Sequence, residues 1–339
     1  MKIFFLILTT ALNTFGLLAQ NILTVDNTPG SSAQFDDLQT AISSAQNGDI
    51  IYVHASNTNY GDILIDKNIS LIGFSHSNPE KNSVIDEIDL TDNASNTRIS
   101  GFRITNDFYL NNDISLVSNL VLENNLFENP VSFGGTALTD GLLIRGNVFL
   151  SGLGNTTTVF SQYSNAIITN NIFDGTLHVL FNNSIDVKNN IFLGSASINN
   201  LDPSSGNINA QDCIFYADRA TTVNYNSTGV FFEHCLSYNI TGNVLPLNGN
   251  NNINDTDPLF FSATNENFDS LDDDYRLQNG SPGIGTGISG GDLGIFDSSG
   301  FLFNNFGITQ GIPSIKILSI TSQIAPEENL EVIIESNTN

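Results

Sequence analysis

The stretch LENNLFENPVSFGGTALTDGLLIRGNVF, residues 122–149, contains two copies of one short pattern, LENNLF at 122–127 and IRGNVF at 144–149. The same pattern recurs on both sides of this stretch, as ISGFRI (99–104), ITNNIF (168–173), VKNNIF (187–192), AQDCIF (210–215) and FEHCLS (232–237). Repeats of 20 to 50 residues are typical of solenoids, in which each repeat is one structural unit that cannot bury its apolar face alone.

The repeat favours strands over helices. Apolar runs of a few residues alternate with Asn, Gly, Ser and Asp, which is typical of short strands joined by turns. The copies end at residues 127, 149, 173, 192 and 215, so the repeat length is shorter than that of helical repeats. The repeat also lacks the leucine framework of leucine-rich repeats. About 22 residues suffice for three short strands and three turns. We therefore predict an all-β protein, a right-handed parallel β-helix with coils of about 22 residues.

Stacking of such coils predicts columns of equivalent side chains, because neighbouring strands lie about 4.8 Å apart. One column is an internal aromatic stack of Phe127, Phe149, Phe173, Phe192 and Phe215. Two places earlier lie Asn125, Asn147, Asn171 and Asn190, then Cys213 and Cys235. We expect an asparagine ladder at a corner, because Asn tolerates the left-handed turn conformation and its amide can bond the copies above and below.

The only two cysteines complete this column on consecutive coils. Their expected Cα separation of about 4.8 Å lies within the range of a disulfide. Cys213–Cys235 is therefore a disulfide candidate in an oxidising compartment, and two stacked, buried free thiols are the alternative. No CxxC motif or group of His accompanies them, which argues against a metal site.

The N-terminus has the pattern of an export signal. Lys2 precedes an apolar run from Ile3 to Leu18, and small Ala19 precedes Gln20. We predict a signal peptide at residues 1–20 and a mature protein that is secreted or lies at the cell surface. We divide the remainder into a β-helix at 21–300 and a capping tail at 301–339. No later run is long and apolar enough for a membrane span.

Both ends of a solenoid need a cap. In FDDLQTAISSA (35–45) the apolar residues fall on one helical face, and acidic residues Asp36 and Asp37 suit the first turn of a helix. We predict an N-terminal capping helix at 35–45. In the tail, Ile315–Ile320 and Leu330–Ile334 are strand-like, and we expect them to pair with each other or to cover the last coil.

The charge balance limits the partners. The formal net charge is −25, with 35 acidic against 10 basic residues. Binding to nucleic acid or to an anionic membrane needs a basic surface, so neither is expected. An acidic surface favours solubility and attracts cations.

Several segments resemble secreted bacterial parallel β-helix proteins of the pectin-lyase-like superfamily. The resemblance rests on LQTAISSAQNGDIIYV (38–53), LIG (71–73), the NN-I-F coils, and the closing set DPLF (257–260), DYRLQ (274–278), SPGIG (281–285) and GDLGIF (291–296). It covers nearly all of the mature chain and implies the fold. It implies little about function, because one fold hosts many chemistries.

More distantly, the opening and closing phrases resemble the chondroitinase B and alginate lyase group. That resemblance implies a Lys base, a nearby Arg, and Ca²⁺ held by acidic and amide side chains. In this chain the catalytic candidates are Glu123, Arg145 and Lys188. They belong to one outward column, which consists of Glu123, Arg145, Thr169, Lys188, Gln211 and Glu233. The alternative is a solvated face with one Glu123–Arg145 ion pair across two coils.

Acidic side chains near the C-terminus suggest a second kind of site. Asp255, Asp257, Asp272 and Asp274 are candidate Ca²⁺ ligands, although the spacing of a calcium-binding loop is missing. A glycoside hydrolase would also need clustered carboxylates, and these lie away from the coil faces. None of the four His is spaced as a metal site.

Three functions follow as hypotheses. The first is a secreted or cell-surface scaffold that binds polysaccharide or a cell-surface glycan without catalysis, with no committed cofactor. The second is a Ca²⁺-dependent polysaccharide lyase, or a glycoside hydrolase, acting on acidic glycans. The third is a purely structural β-helix. The sequence favours the first, because Asn-rich sides offer amides to sugar hydroxyls and no catalytic cluster is evident.

Overall fold

The structure is a computed structural model that describes residues 20–110, 116–133, 138–154, 162–179, 185–263, 265–296, 300–309, 313–320 and 332–338. The predicted signal peptide lies outside these residues except for Gln20. In the described residues the chain is a right-handed parallel β-helix of stacked coils, as the repeat predicts. Within the same residues, no helix has the length and apolar character needed to span a membrane.

The first side of the solenoid, sheet 1, is parallel and has eleven strands. Its strands are Ile22–Val25, Ile50–Val53, Ser70–Gly73, Arg98–Ser100, Val121–Glu123, Leu143–Arg145, Ala166–Thr169, Ile185–Lys188, Ile208–Gln211, Val230–Glu233 and Gly249–Asn250. The last strand lies beyond FEHCLS (232–237), the final copy of the repeat pattern, so the solenoid continues further than that pattern shows.

The second side, sheet 2, has eight parallel strands. They are Val84–Ile85, Arg103–Ile104, Leu126–Phe127, Val148–Phe149, Ile172–Phe173, Ile191–Leu193, Ile214–Ala217 and Leu236–Asn239.

The third side is less regular. Its parallel strands are Ile63–Ile65, Ile88–Leu90, Phe108–Leu110 and Val131–Phe133, followed by Leu177–Val179 with Ile198–Asn200. Three further parallel strands, Val117–Ser118, Leu138–Asp140 and Gln162–Ser164, lie before the corresponding strands of sheet 1, and a 3₁₀ turn spans Asp92–Ala94.

The predicted aromatic stack is confirmed. Consecutive rings from Phe127 to Phe215 have centroids 4.8–5.0 Å apart and planes within 11° of parallel. All five rings are buried. Phe108 meets the first ring edge-on, and Phe232 meets the last ring in the same way. Each coil thus covers the apolar interior of its neighbour.

The asparagine ladder is present, but its conformation differs from the expectation. Asn147 Nδ2 donates to Asn171 Oδ1 (3.1 Å) and to the carbonyl of Leu122 (2.8 Å), and the pattern repeats along the column. The left-handed residue is the one before each ladder position, with φ near +55° at Asn124, Asn170 and Asn189. That residue turns the corner, and the ladder side chain points inward to bond main-chain groups of adjacent coils. The ladder also resumes after the cysteines, since Cys235 N donates to Asn252 Oδ1 (2.9 Å).

The capping helix is shorter than predicted, at Leu38–Ser44. Asp37 is its N-cap and accepts a hydrogen bond from Thr40 N (2.7 Å), whereas Phe35 pairs with Val25 as a bridge in sheet 1. Leu38, Ala41 and Ile42 are fully buried in the core of the first coils. The helix therefore covers the N-terminal end, because its apolar face meets the interior that no earlier coil protects.

The C-terminal part of the chain does more than cover the last coil. Phe260–Ser262 pairs antiparallel with Asp274–Leu277, and the chain then returns along the outside of the solenoid. We call residues 284–296 and 300–309 the strap. Leu293, Ile295 and Phe303 of the strap pack on outward side chains of sheet 2 in a second apolar cluster. The six strands of sheet 2 from Leu126–Phe127 to Leu236–Asn239 are thus buried on both faces.

Hydrogen bonds fix the strap to the corner residues of successive coils. Ile288 N donates to Asp212 Oδ1 (2.9 Å), and Asn170 Nδ2 donates to Ile295 O (3.0 Å). Near its end, Thr309 Oγ1 lies 2.7 Å from Ser100 Oγ. Beyond the strap, Pro313–Ile320 and Val332–Thr338 pair antiparallel with each other, which is the first of the two arrangements expected for the tail.

Candidate functional site

The register of sheet 1 places the predicted polar side chains in one outward column. Glu123 pairs with Arg145, Arg145 with Thr169, Thr169 with Lys188, and this order continues through Gln211 to Glu233. Because inward and outward side chains alternate along a strand, a second outward column lies two residues earlier in each strand. Arg98 belongs to this second column, in register with Val121 and Leu143.

Two arginines converge on one buried carboxylate. Arg98 Nε and Nη2 donate to Glu123 Oε2 at 3.2 and 2.8 Å, and Arg145 Nε and Nη2 donate to Glu123 Oε1 at 3.1 and 2.5 Å. The Glu123 side chain is 7% exposed, and each arginine side chain is 34% exposed. Such paired charge-assisted bonds have defined directions and hold all three groups in place.

The three groups line a groove of about 530 Å³ on the outer face of sheet 1. Its remaining walls are Val121, Asn124, Leu143, Gly300 and Phe301. One wall therefore comes from the strap and the others from three consecutive coils. This size lies within the range of sites for small ligands.

Phe301 shapes the groove from the strap side. The guanidinium carbon of Arg145 lies 4.6 Å from the centroid of the Phe301 ring, a cation–π contact. The ring occupies a notch above Gly146, where a Cβ atom would lie 2.4 Å from Phe301 Cζ. Gly146 has φ +68° and stands where most other coils carry Asn, Asp or His, so the missing side chain leaves room for the ring at that corner.

The groove is locally basic in an acidic protein. Two guanidinium groups and one carboxylate leave one excess positive charge, although the whole chain has a formal net charge of −25. Nε and Nη2 of both arginines are bonded to Glu123, and no described residue accepts a hydrogen bond from either Nη1. Buried Asn124 Oδ1 also has no hydrogen-bond partner among the described residues. The groove therefore offers unused donors and net positive charge.

Lys188, the predicted catalytic base, does not line the groove. It lies two coils from Arg145 in the same column, with Thr169 between them. Its Nζ is 2.7 Å from Asp186 Oδ2, and both side chains are about 40% exposed. The structure brings Glu123 and Arg145 together and leaves Lys188 in a separate surface ion pair.

The candidate Ca²⁺ ligands do not converge. Asp274 is bound by Arg276, and Asp257 Oδ1 accepts the backbone N–H of Leu259 (2.8 Å). Asp255 and Asp272 are exposed. Among the described residues, no three His, Cys, Asp or Glu side chains form a group that could hold a metal ion. Binding of Ca²⁺ at these residues stays a prediction with no geometric support.

Cys213 and Cys235 are free and fully buried, on consecutive coils as predicted. Cys235 Sγ donates to the carbonyl of Ala210 (3.4 Å), much as a ladder Asn donates to the preceding coil. Burial and the neighbouring Cys213 raise the pKa of the Cys235 thiol well above its usual range. The structure shows two stacked thiols, and the disulfide stays a prediction for oxidising conditions.

His76 is the most deeply buried titratable group in contact with the strap. Its backbone N–H donates to Phe306 O (3.0 Å), and Gly307 leaves room for the ring, since a Cβ there would lie 1.9 Å from His76 Cδ2. Burial, with a smaller contribution from the charge of Arg103, lowers the pKa of His76 to about 3. Nε2 has no hydrogen-bond partner among the described residues. Docking of the strap therefore favours the neutral form of His76.

Arg98 and Phe301 were not predicted from the sequence. The residue immediately before each copy of the repeat belongs to the second outward column, and Arg98 is the residue before ISGFRI (99–104). An alignment of that position would have indicated Arg98. Phe301 has no comparable signal, since only the return of the strap brings it to Arg145. No model of a known protein family matches this chain, and a search of curated proteins gave no match.

Proposed function

We propose that this protein is a secreted or cell-surface β-helix scaffold that binds polysaccharide, and that the Arg98–Glu123–Arg145 groove receives an anionic group of the glycan. The observation that carries the proposal is the pair of guanidinium groups fixed by one buried carboxylate in a groove of ligand size. Glu123 orients both arginines and neutralises only one of them.

The walls of the groove suit a sugar. Val121 and Leu143 provide an apolar floor, and a sugar ring has an apolar face that can rest on such side chains. Guanidinium N–H groups donate to carboxylate oxygens and to hydroxyls. The predicted signal peptide supports contact with extracellular glycans. These features support binding and require no catalytic step.

Affinity electrophoresis of the mature chain tests the proposal. Gels would contain glucuronoxylan, alginate, pectate or chondroitin, with neutral arabinoxylan for comparison. We expect an acidic polysaccharide to retard the wild type at low salt and Arg98→Gln or Arg145→Gln to abolish the retardation. Arg103→Gln is the matched control, because Arg103 is also ion-paired and half-exposed but does not line the groove. Equal mobility of all variants in every gel would reject the proposal.

The lyase hypothesis has less support, because Lys188 lies outside the groove and is held by Asp186. We expect no unsaturated uronate to form, measured by ultraviolet absorbance, when the protein is incubated with alginate, pectate or chondroitin and Ca²⁺. Product formation that disappears in both Lys188→Ala and Arg145→Ala would replace binding with catalysis as the function.

A further inference from the structure

The groove is one end of a longer face on sheet 1. The outward residues two positions before the Glu123 column form what we call the open column. After Arg98, its members are Val121, Leu143, Ile167, Asp186, Asn209 and Phe231. The strap bonds to the corner on the other side of the Glu123 column, so Ile167 stays 41% exposed and Phe231 39% exposed.

The far end of the open column carries an aromatic ring. Phe231 is four strand spacings from Leu143, about 19 Å at the usual separation of strands. A ring exposed on a sheet face offers a flat apolar platform for the apolar side of a pyranose. Because Phe231 continues the line of Val121 and Leu143, a linear ligand seated in the groove would reach it along the solenoid axis.

Charge changes along this face. The groove end has one excess positive charge from Arg98, Glu123 and Arg145. In the middle, Asp186 and Lys188 neutralise each other at 2.7 Å. At the far end lies Glu233, two residues after Phe231. Within the described part of the chain, its carboxylate is bound only by the neutral amide of Gln211 (3.0 Å) and leaves a negative charge. A second acidic group near Phe231 would be repelled by Glu233 and by the formal net charge of −25.

On the basis of the proposed function, we infer that the ligand is a linear saccharide of about four or more residues with a single acidic residue at the groove and neutral residues extending to Phe231. Phe231 is then a second subsite that stacks on a neutral ring. A polymer with a carboxylate on every residue fits this face less well, because its far end meets Glu233.

Isothermal titration calorimetry with three tetrasaccharide-sized probes tests the inference. The probes are neutral cellotetraose, fully charged tetragalacturonate, and xylotriose bearing one 4-O-methylglucuronate. We expect the singly charged probe to bind most tightly. Phe231→Ala should lower its affinity about tenfold, the loss of roughly one stacking contact. Phe231→Tyr should retain it, and Phe261→Ala, which removes an exposed ring elsewhere, should leave it unchanged.

The outcomes separate the two proposals. Methyl glucuronoside, which fills only the groove, should bind equally to the wild type and to Phe231→Ala and should lose affinity in Arg145→Gln. If Arg145→Gln weakens the singly charged probe but Phe231→Ala does not, the extended subsite is wrong and the groove stands. Tighter binding of tetragalacturonate than of the singly charged probe would also overturn the extended subsite. If Arg145→Gln leaves all binding unchanged, the proposed function fails.

Discussion

The guanidinium carbon of Arg145 lies 4.6 Å from the ring centroid of Phe301, and this contact joins a strand in the middle of the solenoid to a segment near the C-terminus. The same guanidinium is bound by Glu123, so one side chain links the coil, its neighbour and the strap. The groove exists because these three elements meet at this place. Its walls therefore depend on strap docking as well as on the register of sheet 1.

Replacing Glu123 with Ala should destabilise the protein more than removing an ordinary surface ion pair. The substitution leaves two arginines facing each other without their shared carboxylate. Because the arginines remain partly exposed, we expect a loss of about 1–3 kcal/mol in the free energy of unfolding. Glu128→Ala removes the carboxylate that binds Arg103. Because Glu128 is more exposed than Glu123, this substitution should lower the free energy of unfolding by less than about 1 kcal/mol. Urea titration followed by circular dichroism measures both, and equal losses would contradict the central role of Glu123.

The asparagine ladder should be sensitive at its middle. Asn171 is fully buried, accepts from Asn147 N (2.9 Å) and donates to Ile144 O (3.0 Å) and Asn190 Oδ1 (3.0 Å). Asn171→Ala would leave several buried polar groups without partners and should cost about 2–4 kcal/mol. Asn93→Ala, at an exposed turn, should change stability by less than about 0.5 kcal/mol. A small effect of Asn171→Ala in thermal unfolding would argue against the ladder as a main source of stability.

Gly146 offers a test of strap docking. A methyl group at Gly146 would meet Phe301 Cζ at 2.4 Å, whereas one at Gly280 has no atom within 4 Å. Both glycines have positive φ, so Gly146→Ala and Gly280→Ala share the backbone strain and differ in the clash. We expect a lower melting temperature for Gly146→Ala than for Gly280→Ala. Adding Phe301→Ala to Gly146→Ala should cost less than Phe301→Ala costs alone, and simple additivity would show that the two sites do not interact.

Stability should fall on acidification through His76. The neutral ring is the buried form, so the unfolded chain, with a pKa near 6.5, takes up a proton before the folded chain, whose pKa is about 3. The stabilising contribution is complete above pH 6.5 and declines as the pH falls toward 3. At pH 5 the free energy of unfolding is lower by about 2 kcal/mol than at neutral pH.

Denaturant titrations at pH 7 and pH 5 measure this effect. From pH 7 to pH 5, the free energy of unfolding of the wild type should fall by about 2 kcal/mol more than that of His76→Gln. His178→Gln is the comparison, because burial lowers the pKa of His178 as well but its side chain is only partly buried. An identical pH dependence for the wild type and His76→Gln would show that His76 is not held neutral.

The two cysteines should be unreactive in the folded protein. Both sulfur-bearing side chains are fully buried, and thiol reagents need an accessible thiolate. We expect no reaction of the native protein with Ellman's reagent and two reactive thiols after unfolding in guanidinium chloride. Absence of thiols in the unfolded, non-reduced protein would instead identify the Cys213–Cys235 disulfide.

The sequence by itself determined the solenoid, because each coil repeats the residues that its neighbour must cover. The spacing of Phe127, Phe149 and Phe173 sets the coil length, and side-chain alternation then places Glu123 and Arg145 outward in one column. These are consequences of local periodicity and of strand geometry. The inward ladder of Asn147 and its neighbours follows from the same spacing.

Only the tertiary structure decided which polar side chains share a site. Arg98 binds Glu123 diagonally, from the neighbouring outward column. Lys188 forms an ion pair with Asp186 instead of lining the groove. Phe301, on the strap, contacts Arg145. No repeat encodes the path of the strap, because its corner hydrogen bonds and scattered apolar contacts have no period. Contacts between a periodic and an aperiodic segment depend on where the chain turns back. That place is set by packing on the outer face of sheet 2, from the strand Leu126–Phe127 to the strand Leu236–Asn239.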